Sequence, residues 1–164
     1  MKVELLLQVL VLGVGATWFM DMWALLRWRL FNVPSLDYAL VGRWIGHMPR
    51  GVFYHPNIGK AAAINGEKWM GWVFHYLTGV AFAGLFVVLT SPQWLARPTL
   101  VPALLFGGFT VLIPWLVMQP AFGLGLAASN LPKPWQARSR SLVTHLVFGL
   151  GLYLVAVFVA AAWT

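Results

Sequence analysis

Cysteine is absent from this chain, which excludes disulfides, thiolate nucleophiles, iron–sulfur clusters and cysteine-ligated zinc. Charge is scarce as well: charged residues make up 9% of the sequence, against roughly 25% in soluble domains. Acid is the scarcest class, with four Asp and Glu against 11 Lys and Arg. No phosphate-binding loop, nucleophile elbow or zinc-protease helix occurs, and no serine or paired acid is placed for hydrolysis, so the sequence argues against an enzyme. What the chain has in excess is apolar surface. Hydrophobic residues account for 60%, concentrated in four runs: Leu5–Leu26, Trp69–Leu89, Leu100–Ala128 and Leu142–Trp163.

Each run reaches the ~20 residues that a helix needs to cross a hydrocarbon core of ~30 Å. A soluble protein of 164 residues has too little interior to hide four of them. The fold class that follows is all-α membrane, a single domain over residues 1–164. It has four transmembrane helices, with a short cytoplasmic interfacial helix between the first and second. The first run continues through Trp18, Phe19 and Met20, longer than a signal-peptide core, and so reads as a membrane helix.

The basic residues follow topology. Nine of the 11 (Arg27, Arg29, Arg43, Arg50, Lys60, Lys68, Lys133, Arg138 and Arg140) flank the first and third connections; Lys2 and Arg97 fall on the opposite side. The positive-inside rule places both basic connections in the cytoplasm and both termini outside. The expected partners are therefore the bilayer itself and anionic head groups on the basic side, not nucleic acid. Association with copies of itself or within a membrane complex stays open.

Along the chain, the first helix should end near Trp28 and Arg29. Over Ser35–Met48, Ser35 offers an N-cap and Pro49 a stop, while Leu36, Leu40, Val41, Trp44, Ile45 and Met48 recur at helical spacing. The second helix starts at Glu67 or Lys68. Trp94, in the outer connection Thr90–Pro98, reads as an interfacial anchor, as do Trp23, Trp28, Trp69, Trp135 and Trp163. The third run has 29 uncharged residues, ~43 Å at the helical rise, and Pro114 and Pro120 predict kinks in it. Gly123-Leu124-Gly125 looks like a dinucleotide fingerprint but follows a helix rather than a strand, so it carries no such meaning. The fourth helix is expected over Ser141–Trp163.

Each run holds one notable polar group: Asp21, His75, Gln119 and His145. Such groups are expensive in lipid and usually face a bundle interior. Gly13, Thr17 and Asp21 are spaced by four, as are Gly71, His75 and Gly79, and Ser141, His145 and Gly149. Residues four apart share a helix face, and small residues there let helices approach closely. The second and third sets are 70 residues apart, which would fit duplicated hairpins. Counted from the expected cytoplasmic ends, the four polar residues lie ~5 to ~14 Å deep. They are candidate ligand-binding or proton-handling residues, with Arg43, His47, His55 and Glu67 as secondary candidates on the cytoplasmic section. His47 and His55 either cap the polar groups from below or are ordinary solvated loop residues.

Several segments together are similar to one family. They are Gly15-Ala16-Thr17 with Met20-Asp21-Met22-Trp23, Leu40-Val41-Gly42-Arg43-Trp44-Ile45-Gly46-His47, and Gly71-Trp72 with His75-Tyr76. Downstream come Pro98-Thr99-Leu100, Met118-Gln119-Pro120, and Ser141-Leu142 with His145 and Phe148-Gly149-Leu150-Gly151-Leu152-Tyr153. The chain resembles a family of small bacterial inner-membrane proteins known as a domain of unknown function. The resemblance implies a four-helix membrane protein; it implies no activity, cofactor or metal. Three readings of the polar groups then stand together: handling of a proton, ion or small ligand; ligation of haem or metal by His75 and His145; and helix-to-helix glue in an accessory subunit.

Overall fold

The structure, a computed structural model, describes residues 2–163. Met1, Thr164 and the side chains of Lys2 and Trp163, named above as termini, flanking charge and anchor, lie outside the described residues. Among the described residues the regular structure is all helical, and four helices are long and apolar enough to cross a membrane. This is an integral membrane protein of the four-helix kind that the apolar runs predict.

The helices are α1 (Lys2–Phe31), α2 (Tyr38–His47), α3 (Glu67–Thr90), α4 (Gln93–Ala96), α5 (Leu100–Thr110), α6 (Gln119–Ala121) and α7 (Pro134–Trp163). Their ends have local causes. Asn32 adopts a left-handed backbone (φ 50°) and Pro34 follows it, which stops α1. The cap of α2 is Asp37, not Ser35: its carboxylate accepts the Ala39 N–H at 2.9 Å, so the helix starts two residues later than a serine cap would start it. Helix α7 starts at Pro134, seven residues before Ser141, because proline at the first helical position lacks only a donor that would be unsatisfied anyway. Arg138 and Arg140 therefore sit on a helix rather than in a loop.

The third span departs most from expectation. It covers Leu100–Ala121, 22 residues instead of 29, which at the helical rise matches a ~30 Å core without a steep tilt. Between α5 and α6 a π-helical turn, Pro114–Met118, takes up the Pro114 irregularity; the Gln119 N–H reaches back five residues to the Pro114 carbonyl. The helix then ends in a Schellman motif. Gly123 (φ 83°) donates to the Pro120 carbonyl and Leu124 to the Gln119 carbonyl, both at 2.9 Å. The glycine signature is thus a helix stop. Beyond it Ala127 and Ala128 hold unusual left-handed backbones (φ 47° and 62°), and Arg138 Nε donates to the Ala127 carbonyl at 2.7 Å.

The chain forms two compact units. The first comprises Met1–Ser35, Tyr76–Thr110 and Val143–Thr164. Its core gathers Leu12, Ala16, Ala83, Phe86, Ala103, Phe106, Phe148, Leu152 and Ala156. Glycines set the helix crossings there: a Cβ on Gly13 would strike the Val80 backbone, and one on Gly107 would strike that of Gly149. This close approach is what the small-residue faces predict. Trp94 is no interfacial anchor. It is 8% exposed, packs edge-on to Phe86 with ring centroids 4.6 Å apart, and donates from Nε1 to Thr99 at 3.1 Å. The fold back through α4 brings that ring inside.

The second unit comprises Leu36–His75 and Val111–Leu142, with a core of Val41, Trp44, Ile58 and Phe122. The apolar stripe of α2 packs into this protein core, so it is not simply a lipid-facing surface. Gly42 and Gly71 mark where α2 crosses α3. A Cβ on Gly42 would meet the Glu67 carbonyl, and one on Gly71 the Tyr38 carbonyl.

Candidate functional site

In the first unit, Asp21 is half-buried and its Oδ2 accepts a hydrogen bond from the Tyr76 hydroxyl at 3.0 Å. His145, also half-buried, has Nδ1 2.8 Å from Thr110 Oγ1. The Thr110 hydroxyl lies 2.6 Å from the Gly107 carbonyl. A hydroxyl has one proton, and a carbonyl can only accept. Thr110 therefore donates to Gly107 and accepts from His145, which fixes the neutral imidazole as the Nδ1–H tautomer with its lone pair on Nε2. Nitrogen-15 spectra of labelled protein above the imidazole pKa should show this tautomer, and Thr110→Val should release the constraint. Predominant Nε2–H in the wild type would contradict the assignment.

In the second unit, the Gly42–Gly71 crossing brings the first residue of α2 onto α3. The Tyr38 ring lies 4.5 Å from Trp72 and 4.3 Å from His75 by centroid, and its hydroxyl is 3.0 Å from His75 Nε2. Gln119 is 8% exposed. Because the helix stops at Ala121, it occupies the last turn rather than a depth of nine residues. Its Oε1 is buried and, among the described residues, has no hydrogen-bond partner; the same holds for Trp115 Nε1 and His55 Nε2.

The secondary candidates form the most tightly connected polar group. Arg43 makes a two-pronged ion pair with Glu67, Nε to Oε2 at 2.9 Å and Nη2 to Oε1 at 2.7 Å. Its remaining arm, Nη1, donates to the carbonyls of Ile58, Gly59 and Ala61 at 3.2–3.4 Å. Glu67 Oε2 also accepts the Ile64 N–H at 2.9 Å. The hydrogen bond to Glu67 holds the Arg43 pKa above its ordinary value. One ion pair thus ties the 58–64 loop to two helices, which is a structural task.

His47 and His55 are not solvated loop residues. They are 9% and 6% exposed, with rings packed edge to face at 5.0 Å between centroids. His47 Nε2 lies 2.9 Å from the Ala62 carbonyl and so must carry the donated proton. Burial first, and His47 second, depress the His55 pKa below that of a free imidazole.

Sequence reasoning missed the hydroxyl partners Tyr38, Tyr76 and Thr110. One signal was available: Thr110 is the single hydroxyl residue within Leu100–Ala128. Among the described residues no group of three or more His, Asp or Glu is arranged to hold a metal ion.

No curated protein and no solved structure matches the chain. The family model described as "Protein of unknown function (DUF2938)" matches residues 10–159, nearly the whole length. This four-helix membrane chain belongs to that family, DUF2938.

Proposed function

We propose that this protein sits in a bacterial inner membrane with both termini outside, and that it binds or moves a proton or small ion through ionisable groups in its spans. Asp21, His75 and His145 are the titrating groups in this reading, and Gln119 contributes a neutral hydrogen-bonding amide. The observation that supports it best is the His145–Thr110–Gly107 chain. A ring whose donor nitrogen is fixed carries its proton-accepting lone pair on the other, and imidazole exchanges protons near neutral pH. Helix glue alone needs no such orientation, since interhelical hydrogen bonds in membranes average only about 0.6 kcal/mol.

The test is flux in liposomes that enclose a pH-sensitive dye and contain the purified protein. Under an imposed ion gradient the wild type should exceed protein-free liposomes, and Asp21→Asn or His145→Gln should lower the rate at least tenfold at near-normal folded yield. A wild type that matches empty liposomes, or variants that transport as well as it does, would reject the reading. The topology is tested separately: reporters fused after Arg50 and Lys133 should be active in the cytoplasm, and one fused after Arg97 outside.

A further inference from the structure

The segment Gly51–Asn57 lies against the end of the third span. It leaves the 3-10 turn Met48–Arg50 through Gly51, whose left-handed backbone (φ 75°) makes a pivot that other residues adopt with strain. Its far end is pinned, because Arg43 holds the carbonyls of Ile58, Gly59 and Ala61. Between these points, His55 N–H donates to the Ala121 carbonyl at 2.8 Å and Ile58 N–H to the Phe122 carbonyl at 3.2 Å. These are carbonyls that the ending helix would otherwise leave unsatisfied. Trp44 Nε1 adds a bond to the Phe53 carbonyl at 2.8 Å.

Within residues 51–57 the one buried side chain is His55; Val52, Phe53, Tyr54, Pro56 and Asn57 are exposed. Docking of the segment therefore depends on placing one imidazole in a closed site. That site suits a neutral ring. Nε2 has no acceptor among the described residues, and the His47 ring is 5.0 Å away. The titratable group that faces it is His47 on α2; Glu67 on α3, within electrostatic reach of His47, is already paired with Arg43. The helix end Gln119–Ala121 brings no charge.

We infer that residues 51–57 are an acid-released latch, held on the Ala121–Phe122 helix end while His55 is neutral and freed when it is protonated. A cationic ring there would be desolvated, would find no acceptor for its Nε2–H, and would face His47. The released segment solvates the same ring freely. The docked form thus binds fewer protons than the released form. Docking is fully present above the ordinary imidazole pKa and is lost as pH falls through it toward the lower, docked value. This inference rests on the loop alone and is independent of whether the spans move protons.

The missing cysteines make the experiment clean. A spin label on Tyr54→Cys, an exposed position, should be immobilised at pH 7.5 and become mobile, reversibly, at pH 5.5. A label on Lys68→Cys should report no change. In a His55→Gln background the Tyr54→Cys label should keep one mobility at both pH values, because an amide does not titrate. His47→Gln should move the release to lower pH by removing the facing imidazole. An immobile Tyr54→Cys label at both pH values, an undiminished response in His55→Gln, or equal loosening at Lys68→Cys would each overturn the latch.

Discussion

Glu67→Gln is expected to destabilise this protein by about 3 kcal/mol, at the lower end of the cost of leaving one partner of a buried ion pair unmatched. The side chains of Arg43 and Glu67 are 14% and 16% exposed, so water can replace little of what is lost. The amide keeps the shape and can still accept from the Ile64 N–H, but it presents one oxygen instead of two to the guanidinium fork. Arg43→Met should be at least as damaging, since it also releases the carbonyls of Ile58, Gly59 and Ala61. Unfolding titrations in mixed micelles measure both. A Glu67→Gln change within about 0.5 kcal/mol of wild type, typical of a surface substitution, would mean the pair is solvated and not structural.

The second large effect belongs to the α2–α3 crossing. Gly42→Ala and Gly71→Ala each place a methyl group against a backbone carbonyl of the other helix, Glu67 in one case and Tyr38 in the other. Backbone cannot rotate aside as a side chain can, so the helices must separate. Overpacking of that kind costs about 1–3 kcal/mol, and here it would also lift Tyr38 from Trp72 and His75. Gly84→Ala is the matched control. Its nearest neighbour would be Val9 Cγ1 at 3.6 Å, an ordinary contact, so the roughly 1 kcal/mol gain in helix propensity should appear as mild stabilisation. Equal melting temperatures for all three variants would show that the crossing tolerates a methyl group and that the glycines do not set it.

Much of this protein was legible one residue at a time. A 22-residue span or a 24-residue span is declared by its apolar length, because lipid demands internally bonded backbone over a fixed thickness and few sequences meet that demand. The small residues at four-residue spacing likewise announced close helix contacts, since the absence of a side chain is visible in sequence and its consequence is local. The identities of Asp21, His75, Gln119 and His145 as exceptions in apolar runs needed no structure either.

Partners did need one. Tyr76 for Asp21, Tyr38 for His75 and Thr110 for His145 lie 55, 37 and 35 residues away, at distances that only packing decides. Arg43 and Glu67 were separate candidates on two expected helices until the fold paired them across 24 residues. The burial of His47 and His55 was hidden for the same reason: His55 docks on the helix end at Ala121, which the sequence alone placed seven residues too late, and His47 packs on His55. An apolar run fixes its own partition into lipid, but where a helix stops inside it depends on what receives its last carbonyls, and here that is a loop more than 60 residues earlier in the chain.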